Sequence, residues 1–164
     1  MTADGQARPR LHLAIVGPTA AGKSDLALAI ARRSGDCEIV SLDAMQVYRE
    51  MDVGTAKPSL AERAEIGHHL IDVVDPDTEW SVALAQREAR AAVRDIEARG
   101  RRAVLVGGSG LYVQAVVDDL TLPVQDLALR AELEAWTSEP GGLAAAWAEL
   151  RAADPQAADR IDEH

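Results

Sequence analysis

Leu11-His12-Leu13-Ala14-Ile15-Val16-Gly17-Pro18-Thr19-Ala20-Ala21-Gly22-Lys23-Ser24 is the stretch whose reading decides the fold. Its first six residues form a short apolar run, as a β-strand requires, and a Gly-rich turn follows at once. From Ser24 to Arg33 the pattern becomes helical, with Leu26, Ile30 and neighbouring alanines on one side and Gly35 as the stop. Gly17, Gly22, Lys23 and Ser24 meet the spacing G-x-x-x-x-G-K-[ST] between that strand and that helix, which is the context a phosphate-binding loop (P-loop) needs. The chemistry explains the residue types. Glycines let the backbone wrap closely around phosphate oxygens, successive N–H groups point inward, and the helix presents its positive end. Gly17, Pro18, Thr19, Ala20, Ala21, Gly22, Lys23 and Ser24 are therefore the expected diphosphate-binding residues. Lys23 adds a full positive charge, and Ser24 can ligate Mg²⁺ or donate to the phosphate.

Downstream, strands and helices alternate. Cys37 to Leu42 reads as a second strand ending at Asp43, and Ala44 to Pro58 is irregular. Leu60 to Ile66 reads as a short helix, and Leu70 to Val74 as a strand closed by Asp75-Pro76. Ser81 to Arg99 is a helix with Ser81 as N-cap and Gly100 beyond its end. Ala103 to Val106 is a buried strand, broken by Gly107-Gly108-Ser109-Gly110 before a helix over Leu111 to Val117. After Pro123 the character turns helical: Leu127 to Trp136, Leu143 to Ala152, and a third helix opened by Asp154-Pro155. The expected fold class is α/β, a P-loop NTPase-like parallel sheet flanked by helices, with a helical C-terminal extension. The expected organisation is a flexible N-terminus over residues 1–10, an α/β core over 11–123, and a helical segment over 124–164.

Composition bounds the function. The 164 residues are 48% apolar and 27% charged, as in an ordinary globular domain. Phe is absent, so Ala, Val, Leu and Ile must build the core. A net charge of −10 excludes a general nucleic-acid coat, because phosphate backbones are held by Lys and Arg. Arg32, Arg33, Arg99, Arg101 and Arg102 read as helix-end or solvated charges. The lone Cys37 permits no disulfide framework and reads as a small buried strand residue. Residues 1–10 lack the apolar core of a signal peptide, and no apolar run is long enough to cross a membrane. A cytoplasmic location is the expectation.

A P-loop does not name its reaction: it holds nucleotide phosphates in kinases and hydrolases, and serves equally for a diphosphate that leaves from carbon. Asp43 is the second candidate. At the carboxyl end of a strand it stands where open α/β sheets bind ligands. It reads either as a proton acceptor or water-mediated Mg²⁺ ligand, or as a cap of the next turn.

Asp43-Ala44-Met45-Gln46-Val47-Tyr48 and its continuation to Gly54-Thr55-Ala56-Lys57-Pro58, with GPTAAGKS, HHLIDVVDP and GGSGLYVQAVV, resemble the tRNA dimethylallyltransferases. All four blocks stand in the family's order. The resemblance implies transfer of a dimethylallyl group from dimethylallyl diphosphate to N6 of the adenosine 3′-adjacent to the anticodon. It implies Lys23, Ser24 and Mg²⁺ as stabilisers of the leaving diphosphate, and Asp43 as the base at N6. Ala44, Met45 and Gln46 would contact the target nucleotide, Ser109 would lie near the reacting centre, and Arg130 would touch the tRNA anticodon arm. The implied chain is a monomer that extracts its adenosine from the stack. Tyr48 and Tyr112 are candidate stacking partners or half-buried packing residues, and His68 and His69 read as structural. Family members continue past the segment matched by Asp154 to Ile161 into a basic helix, a tRNA-gripping insertion and a further C-terminal segment. The chain is C-terminally short by that measure, which leaves an incomplete or inactive fragment, with apolar surface at Leu143, Trp147 and Leu150, as an expectation. Competing readings are a P-loop small-molecule kinase or nucleotide hydrolase, and prenylation of a free adenine nucleotide.

Overall fold

The computed structural model describes residues 11–108, 110–118, 120–122 and 126–161. The expected flexible N-terminus, residues 1–10, and Ser109 lie outside the described residues. The chain divides into two compact units, Met1–Leu122 and Pro123–His164.

The first unit is a parallel sheet with helices on both faces. Its strands are β1 (Leu13–Val16), β2 (Cys37–Ser41), β3 (His68–His69) and β4 (Arg102–Gly107), in the order β1-β4-β2-β3. Each described pairing is parallel. The helices are α1 (Lys23–Ser34), α2 (Leu60–Glu65), α3 (Val82–Ala98) and α4 (Gly110–Val117). Period-two alternation sends strand residues to opposite faces. Cys37, Ile39, Val104 and Val106 pack with Ala27, Leu28 and Ala31 of α1. Val40, Leu42, Ala103 and Leu105 pack with Ala89 and Ile96 of α3 and Val116 of α4. Burial on both faces explains the apolar run of β4, while β2 also buries the polar Glu38 and Ser41. β1 has the same composition yet lies at the sheet edge, with Leu13 and Val16 exposed.

Helix ends follow their caps. The Ser81 hydroxyl accepts from the Leu84 amide at the start of α3. Ser59 and Glu62 form a reciprocal capping box at the start of α2. Gly35 ends α1 in the left-handed region, as the sequence anticipates.

The third strand corrects the sequence reading. Leu70 to Val74 is not a strand: pairing is confined to His68–His69, against Ile39 and Val40. Leu70 and Asp72 adopt φ of 62° and 55°, which takes the backbone out of the extended region. A single bridge, Tyr48 to Val74, resumes contact beyond this bend.

The second unit comprises α5 (Leu127–Ser138), α6 (Gly142–Ala153) and α7 (Pro155–Ala158). Asp126 caps α5 and Asp154 caps α7, whose first residue is Pro155. Leu143 is exposed, while Trp147 and Leu150 are half-buried, and the Arg151 guanidinium sits 4.9 Å from the Trp147 ring centroid. Among the described residues no helix is long and apolar enough to cross a membrane.

Candidate active site

Register places the site. Val16 pairs with Gly107, and Ser41 pairs with Val106, so β1, β4 and β2 end side by side. The segments that follow them therefore emerge at one edge, the carboxyl edge where α/β sheets bind ligands. They enclose a cavity of about 700 Å³ within the first unit. One wall is the loop Thr19 to Ser24 with Asp25. A second is Gly107 and Gly108. Facing them stand Asp43, Met45 and Gln46, then Gly54 to Pro58. Leu28, Ile39, Ile71 and Val106 supply an apolar floor.

The loop has the backbone its sequence requires. Ala20 and Gly22 take φ of 64° and 75°, and Gly22 is the N-cap of α1 without a capping side chain. The first amides of α1 are thus left for a ligand rather than a side chain. Lys23 Nζ donates to the Pro18 carbonyl at 2.7 Å, folding the charge across its own loop. A Cβ at Gly108 would stand 3.4 Å from the Gly17 carbonyl oxygen and 3.6 Å from Lys23 Nζ. The second glycine of the Gly107-Gly108 pair thus lies directly against the loop and its lysine.

Asp43 heads a tight turn. Its Oδ1 accepts from the Met45 amide at 2.8 Å and the Gln46 amide at 3.2 Å. The turn-capping role is thus realised, and the same carboxylate lines the cavity. Gln46 also lines it, but its amide is used internally. Oε1 accepts from Ser41 Oγ at 2.9 Å, and Nε2 donates to the Thr55 and Ala56 carbonyls, each at 3.1 Å. Ala44 is half-buried beside Asp43, and Met45 is 45% exposed at the rim. Arg130 belongs to the second unit, on α5, where its Nε donates to Glu134. Tyr48 and Tyr112 do not line the cavity. Tyr112 packs on the α3/α4 core, where burial raises its phenol pKa.

Sequence reasoning assigned no role to Lys57, which lines the same cavity. Its ammonium donates to Asp72 Oδ1 at 2.6 Å, the Tyr48 carbonyl at 2.7 Å and Asp52 Oδ1 at 2.9 Å. The only signal was its position inside the Asp43-to-Pro58 block. His68 also reaches the cavity, with burial holding its pKa down and Nδ1 2.7 Å from the Ile66 carbonyl. His69 turns away to Glu38, at 2.7 Å. Four of the five arginines read as helix-end or solvated charges are ion-paired: Arg32 with Glu65, Arg102 with Asp36, and Arg99 and Arg101 with the buried Glu38.

The residues present fit a Mg²⁺ ion that brings its own ligands. Among the described residues no cluster of three His, Cys, Asp or Glu side chains could hold a metal. The Ser24 hydroxyl and the Asp43 carboxylate share the cavity, and Mg²⁺ is commonly bound by one or two protein groups plus substrate phosphates.

A parallel α/β sheet with a phosphate loop at its carboxyl edge makes this a P-loop-class protein. Residues 46–164 match the model of the IPP transferase family, and the chain belongs to that family. It is 50% identical over 154 residues to a tRNA dimethylallyltransferase of Bifidobacterium longum subsp. infantis, covering 92% of this chain and 47% of that protein. To that of Roseiflexus castenholzii it is 56% identical over 151 residues, covering 91% and 49%. Among solved structures, the tRNA isopentenylpyrophosphate transferase of Bacillus halodurans superposes with a TM-score of 0.64 at 44% identity, over 92% of this chain and 50% of that one. A eukaryotic dimethylallyltransferase acting on tRNA superposes with a TM-score of 0.74 at 27% identity, over 93% and 38%. The chain spans about half the length of the curated relatives it matches.

Proposed function

We propose that this chain is a tRNA dimethylallyltransferase, moving a dimethylallyl group from its diphosphate to N6 of the adenosine 3′-adjacent to the anticodon. One observation carries the reading: the phosphate loop and Asp43 line a single cavity with an apolar floor. A site of that kind suits a charged diphosphate, an apolar five-carbon group and a nitrogen that must lose a proton.

The chemistry is substitution at carbon. The N6 lone pair forms the new C–N bond at C1 of the dimethylallyl group, the C1–O bond breaks, and both its electrons leave with the diphosphate. Asp43 accepts the N6 proton. Its Oδ1 is anchored by two backbone amides, so the carboxylate is oriented before substrate arrives. Loop amides and Lys23 stabilise the charge that grows on the leaving oxygen. Lys23 must release the Pro18 carbonyl to do so, exchanging one acceptor for another. Mg²⁺, when bound at Ser24, would neutralise diphosphate charge. The same reading carries a monomer in the cytoplasm, and the lone buried Cys37 is compatible with a reducing compartment.

The test mixes the purified chain with Mg²⁺, dimethylallyl diphosphate and unmodified tRNA, with mass-spectrometric detection. A gain of one five-carbon unit on the tRNA, lost in Lys23→Ala and Asp43→Ala, is expected. A folded wild-type chain that adds nothing overturns the reading for this polypeptide.

A further inference from the structure

The cavity wall opposite the phosphate loop contains backbone that side chains other than glycine adopt reluctantly. Ala56, which lines the cavity, has φ of 51°; Glu50, outside the lining, has 62°; and the adjoining turn has Leu70 at 62° and Asp72 at 55°. Such residues persist where the surroundings over-determine them, and they concentrate at functional sites. Two buried polar side chains do the over-determining here.

Gln46 is 8% exposed, and its amide bridges three points. It joins Ser41 at the end of β2 to the Thr55 and Ala56 carbonyls, and Ala56 is one of the left-handed residues. The Lys57 side chain is 5% exposed, and its three acceptors join Tyr48 and Asp52 to Asp72, another left-handed residue. Asp72 is held from its other oxygen by Arg63 of α2, at 2.5 Å. Backbone bonds run alongside: Asp72 N to the Gln46 carbonyl at 3.1 Å, Val73 N to Val47 at 2.8 Å, and Arg49 N to Val74 at 2.8 Å. The side chains thus stitch one strained wall from three segments distant in sequence.

We infer that Gln46 and Lys57 are positioning residues: they hold Met45, Thr55 and Ala56 in the shape that receives the acceptor nucleobase. The chemistry of the bonds argues for this. Both donors of the Gln46 amide and one lone pair of its oxygen are used within the wall, and the Lys57 ammonium has three acceptors there. Neither side chain bonds to the phosphate loop, whose own hydrogen bonds are local. Diphosphate binding and acceptor binding are therefore separable.

The inference rests on the transferase reading, and its test separates the two. Wild type, Gln46→Met, Lys57→Met and Lys57→Arg are compared by three measurements: amide hydrogen exchange, calorimetric binding of inorganic pyrophosphate, and prenyl transfer to an anticodon stem-loop RNA. Expected in both Met variants is at least tenfold faster exchange at Arg49, Asp72 and Val73, with pyrophosphate Kd within twofold of wild type. In transfer, KM for RNA rises at least tenfold while KM for dimethylallyl diphosphate is unchanged. Lys57→Arg, which keeps the charge and donors, recovers most of the protection. Unchanged exchange overturns the inference, and so does pyrophosphate binding lost together with the wall. An RNA KM that stays at the wild-type value despite faster exchange overturns it too. If the wild-type chain itself transfers nothing, the functional reading fails, and exchange with pyrophosphate binding still decides whether these side chains hold the wall.

Discussion

Glu38 is an acidic side chain in the middle of a buried strand, 4% exposed, and it is tolerated because its neighbours are all donors. Arg99 meets it with two nitrogens, and Arg101 and His69 Nε2 approach from other sides. The Arg99 hydrogen bond, reinforced by His69 and against the opposing cost of burial, pulls the carboxyl down to a pKa of about 2 from an ordinary 4.5. The depressed pKa fixes the sign of the pH dependence. Above about pH 4.5 the stabilisation is fully present, and it is lost as pH falls towards 2 because the unfolded chain takes up the proton first. Glu38→Gln should lower stability near neutrality by roughly 2–3 kcal/mol and flatten the acid limb between pH 4.5 and 2, as read by urea titrations across that range. At the phosphate loop, Lys23→Ala should weaken inorganic pyrophosphate binding by at least tenfold in calorimetry, since it removes the loop's one full positive charge.

Elements are set by their ends and by what their small residues allow. Ser81 accepts the Leu84 amide at the start of the long helix α3, whose Ala89 and Ile96 pack on the sheet. Ser81→Ala should cost about 1 kcal/mol in equilibrium unfolding, and Ser81→Asp should restore it. Gly142 opposes naive helix propensity. Substituting alanine in a helix ordinarily gains up to about 1 kcal/mol over glycine. Here a Cβ would fall onto the Trp136 carbonyl oxygen at the α5–α6 junction. Gly142→Ala should therefore destabilise the second unit, by about 1–3 kcal/mol, measured by far-ultraviolet circular dichroism during urea unfolding. A stabilised variant would mean that the junction relaxes.

For the whole molecule, ligand linkage gives the most direct check. Pyrophosphate that binds only the folded chain should stabilise it by about 2.7 kcal/mol at one hundred times its Kd. For a chain of this size that corresponds to a rise in Tm of about 5–10 °C. Scanning calorimetry should show this rise in wild type and little of it in Lys23→Ala. The molecule also spans about half the length of the curated relatives it matches.

The local and periodic features were legible before any coordinates. The phosphate loop was, because its spacing, preceding strand and following helix are contiguous. Alternating strands and helices gave the parallel α/β class, since a parallel crossover needs a helix. Asp43 was legible as the residue that follows a strand, although β2 ends at Ser41. Hidden were features that depend on which strands become neighbours. An apolar run does not reveal whether it will be central or at an edge, and β1 lies at the edge. The Leu70–Val74 run has strand composition, but the bend at Leu70 and Asp72 exists because Lys57 and Arg63 arrive from elsewhere to hold Asp72. The bonds from Gln46 to the Thr55 and Ala56 carbonyls were hidden too, because those acceptors lie in a loop that reaches it only in the tertiary structure. Short-range hydrogen bonding and hydrophobic period are written along the chain. Long-range partners, and the strain that they hold in place, came into being only when the sheet assembled.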